Sequence, residues 1–137
     1  MKQTPDRTAA PGHTLPVPCG AHIVARALQR HGVELMFGQS LPSALYLVTP
    51  EFGIRQIAYR EENAGAAMAD GYAMASRSLG VVNLHISCGL GNAMGMLYNA
   101  FREGTPLLVT AGQQDRRHRF EEPILWGDMV GVARPWT

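Results

Sequence analysis

Short apolar runs that begin near residues 33, 55, 81 and 106 recur every 22–26 residues along this chain. Each pair is separated by one stretch with helical spacing. Parallel strands cannot be joined by a tight turn, so strand–helix–strand alternation implies right-handed crossovers and a parallel sheet covered by helices on both faces. The expected fold class is therefore α/β, a three-layer α/β/α sandwich with a mostly parallel sheet. The expected strands are Val33 to Phe37, Ile54 to Tyr59, Gly80 to Ser87 and Pro106 to Ala111. The first helix should bury Ile23, Val24, Ala27 and Leu28 and close at His31-Gly32. A helical patch covers Ala44 to Val48, and a long alanine-rich helix covers Glu62 to Ser76. A further helix carries Ala93, Met96, Leu97, Ala100 and Phe101 on one face, and a short one is expected near Ile124–Val130. Ligands of such sheets bind off the carboxyl ends of the strands. The loops to inspect are thus Gly38–Pro42, Tyr59–Glu62, His85–Asn92 and Ala111–Arg119.

A length of 137 residues suits one domain. Residues 1–17 hold three of the nine prolines and five apolar residues, so they read as a disordered leader before a domain over residues 18–137. A net charge of +1 argues against nucleic acid as a partner. No apolar run approaches 18 residues, so no membrane span is expected. The amino terminus lacks the apolar core of a secretion signal, and two cysteines are too few for a disulfide scaffold. A cytoplasmic protein is the expectation. The end at Ala133-Arg134-Pro135-Trp136-Thr137 reads as the start of a linker to further domains.

Glu61-Glu62 opens the alanine-rich helix, where acidic residues favour the dipole and the free N–H groups. Glu62, Ala66, Ala69 and Ala73 share one face with almost no bulk, so a backbone or a flat ligand should approach it. A partly desolvated carboxyl there is suited to hydrogen-bonding a ring nitrogen of a heterocycle. Cys88-Gly89-Leu90-Gly91-Asn92-Ala93-Met94-Gly95 follows a strand and invites a dinucleotide reading. Three residues separate Gly91 from Gly95 where that fingerprint needs two, and the run follows the third strand rather than the first. What survives is a close backbone approach at Gly89 and Gly91, with helix N–H groups behind it. His85, near a strand end, is either a core histidine or a catalyst. His85 and Cys88 alone do not make a metal site.

The segments FGQSLPSAL, YREENAGAAMADGYAMAS, VVNLHISCGLGNAMGMLYNA and TPLLVTAGQQDRR, in this order, resemble the N-terminal pyrimidine-binding domain of thiamine-diphosphate-dependent enzymes. The resemblance runs from Pro18 to Thr137. It looks most like benzoylformate decarboxylase, then acetolactate synthase. It implies the thiamine-diphosphate-binding fold and thiamine diphosphate as cofactor. Glu62, nine residues before Gly71, matches the glutamate that hydrogen-bonds N1′ of the aminopyrimidine and promotes its reactive imino form. His85 matches a histidine that assists proton transfers, while Gly89, Gly91 and Asn92 match the loop beside the pyrimidine. Gln113 matches the glutamine of the family's Ala-Gly-Gln motif. The family's serine falls at Ser40 or Ser43.

The same resemblance implies a 2-keto acid substrate, decarboxylation or carboligation, and an active site shared between two chains of a homodimer. The Gly-Asp-Gly…Asn motif that binds diphosphate and Mg2+ is missing, so those would come from another domain or subunit, and the chain alone should be inactive. The alternatives are an acetolactate synthase-type carboligase domain and a non-catalytic binding or assembly module.

Overall fold

The computed structural model describes residues 18–39 and 43–137. The expected leader and Ser40 lie outside them. The elements are α1 (Gly20–Arg30), β1 (Leu35–Gly38), α2 (Ala44–Val48), β2 (Arg55–Ala58), α3 (Glu62–Ser76), β3 (Gly80–Leu84), α4 (Ile86–Glu103), β4 (Leu107–Ala111) and α5 (Met129–Ala133). The strands form one sheet in the order β2-β1-β3-β4. Every pairing is parallel, with Leu35 opposite Arg55, Phe37 opposite Val82 and Gly80 opposite Leu107.

The sheet separates two apolar clusters. Phe37, Val82 and Leu84 point to one face, where Ala66 and Ala69 of α3 and Leu90, Ala93 and Leu97 of α4 cover them. Met36 and Val81 point to the other, against Leu28 of α1 and Tyr46 of α2. That split follows from the period-2 alternation of strand side chains. All five residues of β3 are buried, as a strand with helices on both faces requires. The three-layer parallel α/β architecture is the one the sequence predicts.

Several local expectations need correction. In α1 the buried residues are Ala25 and Leu28, whereas Ile23 is 74% exposed and Val24 42%. The apolar bulk of α1 thus points away from the sheet, and the small Ala25 makes the close contact. The third strand stops at Leu84 rather than Ser87, because helix α4 begins at Ile86. The expected helix near Ile124–Val130 lies later, at Met129–Ala133, where the Asp128 carboxylate accepts the Gly131 N–H. By contrast α3 spans the expected residues, and Glu62, Ala66, Ala69 and Ala73 are all buried. What packs near this small-residue face is α4, with Leu90, Ala93 and Leu97 in the same cluster as Ala66 and Ala69.

A polar network crosses the core. The Tyr59 hydroxyl donates to the Asn83 carbonyl at 2.5 Å. The Asn83 side chain donates to Thr110 at 2.8 Å and accepts from the Ser43 hydroxyl at 2.9 Å. Burial, reinforced by the nearby Glu62 charge, raises the Tyr59 pKa well above its ordinary value. Tyr59 therefore keeps its proton in the fold at pH values where the unfolded chain has lost it. The stability it contributes is complete below about pH 10 and falls as pH rises beyond that. Urea unfolding of Tyr59→Phe is expected to show a loss of about 1 kcal/mol at pH 7 and a shallower alkaline decline than the unchanged chain. Ala69→Leu should cost about 1–3 kcal/mol by forcing α3 and α4 apart, measured in the same way.

Candidate functional site

The carboxyl ends of β1, β2 and β3 bring Gln39, Tyr59 and His85 to one edge of the sheet. Two adjacent glutamates follow β2 and divide two tasks. Glu61 is the N-cap of α3, its carboxylate accepting the N–H groups of Asn63 at 2.9 Å and Ala64 at 3.1 Å. The dipole and capping role belongs to this residue. Glu62, one residue on, is rotated about 100° around the helix and is only 6% exposed.

A buried carboxylate is stable only when its oxygens accept hydrogen bonds. Glu62 Oε1 accepts from Gln39 Nε2 at 2.9 Å, and Glu62 Oε2 accepts from Asn92 Nδ2 at 3.2 Å. Gly89 completes the enclosure: a Cβ there would stand 2.9 Å from Glu62 Oε1 and 3.0 Å from its Cγ. The missing side chain is what lets α4 lie against the carboxyl. Gly91, in contrast, is exposed and its Cβ position is open. The glycine run expected to be a loop is the first two turns of α4, so Gly89, Gly91 and Asn92 act from a helix. A Gly after a strand suggests a loop by composition, but α4 packing holds this one helical.

His85 is the residue before α4, at the junction with β3. The next residue, Ile86, has φ 51°. That left-handed geometry is strained for a β-branched side chain, and it turns the chain sharply from strand into helix. His85, half-buried, lines a cleft of about 400 Å³ together with Ser43, Asn83, Ile86 and Gln113. Glu62 is not among the residues lining it. Ser43 is the N-cap of α2, accepting the Tyr46 N–H at 3.2 Å. Gln113 reaches the same cleft, but its amide donates to the Gly127 carbonyl at 3.3 Å and its oxygen accepts from the Gln114 N–H at 2.9 Å. Gln114 in turn donates to the Ile124 carbonyl at 2.8 Å. Both glutamines thus fasten the segment after β4.

The Sγ of Cys88 donates to the His85 carbonyl, not to its ring. No three His, Cys, Asp or Glu side chains gather into a metal-binding group among the described residues. The arrangement offers a buried acceptor for a ligand N–H at Glu62 and a proton-transfer group at the neighbouring His85 cleft. Sequence reasoning missed Gln39, Asn83 and Thr110 as site-building residues. Gln39 lies in the Gly38–Pro42 loop, but nothing local marks its side chain, whose partner lies 23 residues away.

The family model described as thiamine pyrophosphate enzyme, N-terminal TPP binding domain, matches residues 19–124. Benzoylformate decarboxylase of Pseudomonas aeruginosa is 44% identical over 91 residues, 65% of this chain and 17% of the relative. Acetolactate synthase isozyme 3 large subunit of Escherichia coli strain K12 is 34% identical over 122 residues, 85% of this chain and 21% of the relative. The chain therefore spans about a fifth of the length of these curated relatives. The crystal structure of benzoylformate decarboxylase from Polynucleobacter necessarius superposes with a TM-score of 0.74 at 31% identity, covering 85% of this chain and 22% of that one.

Gly89→Ala should leave far-UV circular dichroism unchanged, since alanine favours a helix more than glycine does. Its methyl group should displace the Glu62 carboxyl, shifting the side-chain amide NMR signals of Gln39 and Asn92. Unmoved amide signals would show that the carboxyl does not rest on α4.

Proposed function

The chain belongs to the thiamine pyrophosphate enzymes, as their N-terminal TPP-binding domain, and from that premise we propose that it supplies the aminopyrimidine site of a 2-keto acid decarboxylase or carboligase of the benzoylformate decarboxylase type. The observation that carries this reading is the buried Glu62 carboxyl, held between Gln39, Asn92 and Gly89 at the strand ends. That setting fits an aminopyrimidine: a flat ring whose nitrogen meets the carboxyl while water is excluded from it. When bound, the cofactor supplies the electron sink for breaking or making a bond beside the keto carbon.

The chain's own residues hold and steer. Glu62 would share a hydrogen-bonded proton with the ring nitrogen and fix the ring's orientation. Asn92 and Gly89 keep the carboxyl in place from α4. His85, displayed by the strained turn at Ile86, moves protons at substrate in the adjoining cleft. Gln113 lines the same cleft. Nothing among the described residues forms a cation site. The Gly-Asp-Gly…Asn motif is missing from the sequence, so the diphosphate and its Mg2+ are assigned to a separate domain or subunit, and a homodimer is the assembly in which the two halves would meet. Two free thiols, Cys19 and Cys88, fit a cytoplasmic enzyme.

An acetolactate synthase-type carboligase is the second reading, favoured by similarity over a larger share of the chain. The match of His85 to the histidine that assists proton transfers in the decarboxylases is what favours decarboxylation.

In the chain joined to a diphosphate-binding partner domain, Glu62→Gln is expected to lower turnover of a 2-keto acid by about 10²-fold or more, and His85→Ala to do the same for decarboxylation. Steady-state kinetics with phenylglyoxylate and with pyruvate measure both. Full activity of Glu62→Gln would end the assigned role. Retained decarboxylation in His85→Ala would end the role assigned to His85.

A further inference from the structure

We propose that a one-way chain of hydrogen bonds through Thr110, Asn83 and Ser43 fixes the polarity of the His85 cleft, so that Ser43 meets a ligand as an acceptor alone. The direction is set at the far end. A backbone carbonyl can only accept, and the Thr110 hydroxyl gives its proton to the Val82 carbonyl at 3.3 Å. Thr110 Oγ1 is then an acceptor for Asn83, whose Nδ2 donates to it at 2.8 Å. With the amide nitrogen on that side, Asn83 Oδ1 faces Ser43 and takes its hydroxyl proton at 2.9 Å. Ser43 Oγ also accepts the Tyr46 N–H at 3.2 Å. A serine hydroxyl has one donor and two lone pairs. Ser43 lines the cleft, and what its oxygen has left for a ligand is a lone pair.

Burial opposes the other arrangements. Asn83 is 5% exposed, so a Ser43 proton swung toward a ligand would strand a buried amide oxygen. Turning the Asn83 amide over would set its NH2 against Ser43 and release that proton to the cleft. Thr110 would then have one proton for two acceptors, Asn83 Oδ1 and the Val82 carbonyl. The chain holds three hydrogen bonds in the observed direction and two in the reverse.

The consequence for substrate rests on the keto-acid reading above. A 2-keto acid at neutral pH brings acceptors only, its carbonyl and its carboxylate. Ser43 therefore turns the carboxylate away, and His85, which carries a ring N–H in either tautomer, is the donor that receives it in the same cleft. A ligand group that suits Ser43 is a hydroxyl or an N–H. Ser43 is in this way a specificity-determining residue, and Asn83 and Thr110 are positioning residues that act through it.

The test reads the amide directly. In the 15N,13C-labelled chain without ligand, the Asn83 side-chain NH2 is expected to show its strong NOEs to the Thr110 methyl group and not to the Ser43 Hβ protons. Strong NOEs to Ser43 in place of Thr110 overturn the proposal. Thr110→Val removes the acceptor that holds the amide, so the NH2 should turn to Ser43, while Thr110→Ser, which keeps the hydroxyl, should leave it in place. Benzoate, a carboxylate with no donor, probes the cleft. Thr110→Val should bind it about tenfold more tightly than the unchanged chain, the factor expected for one hydrogen bond to a charged group, and Thr110→Ser no more tightly. Equal affinities in the three forms, absence of binding in all of them included, overturn the role in selection. These readouts need no cofactor, so they stand or fall apart from the turnover of Glu62→Gln and His85→Ala.

Discussion

Enclosing a carboxylate between two helices is unfavourable unless each oxygen finds a donor and the helices come close enough to exclude water. Glu62 meets both conditions, and much of the surrounding structure follows from how it does so. The alanines at 66, 69 and 73 keep the Glu62 face of α3 flat, so α4 packs directly on it. Gly89 removes the one side chain that would strike the carboxyl. Gln39 and Asn92, brought from a strand end and a neighbouring helix, supply the donors. Glu61 frees Glu62 for this purpose by satisfying the helix start itself.

The architecture was legible because it is written in local periodicity. Strand runs alternating with helical spacing dictate parallel crossovers, and the alanine stripe of α3 announces a close neighbour whatever that neighbour is. The errors share a physical origin. The exposed Ile23 and Val24 of α1 show that a helix's apolar bulk need not mark its buried side when a small residue, Ala25, makes the contact. The glycines after β3 read as loop because their intrinsic preference is for loops, yet tertiary packing keeps them in α4. At the site, Glu62, His85 and Asn92 stood out through position and motif. Gln39, Asn83 and Thr110 did not, because each acts through a partner distant in sequence. Asn83 joins Ser43, 40 residues away, to Thr110, 27 residues away.

Asn83 shows how the sheet itself serves the site. A polar side chain in a fully buried central strand would weaken a sheet unless it were satisfied. Here its satisfaction ties the start of α2 to β4 through Ser43 and Thr110, and its carbonyl anchors Tyr59. Two residues further along the same strand direction stands His85, lining the cleft that Ser43 and Asn83 also line. The walls of that cleft are therefore braced from within the core, and the strained turn at Ile86 is carried by a rigid frame.

The one-residue offset between Glu61 and Glu62 has a consequence for how this chain tolerates change. Cap, carboxyl and alanine stripe all depend on a single angular phase of α3. Adding or deleting one residue between Ala58 and Glu62 would turn that phase by about 100°, carrying the alanine stripe away from α4 and pointing the carboxyl elsewhere. Site and packing would fail together. In this region insertions and deletions should therefore be purged as folding defects before they are ever tested as catalytic ones, and length here is constrained more tightly than residue identity.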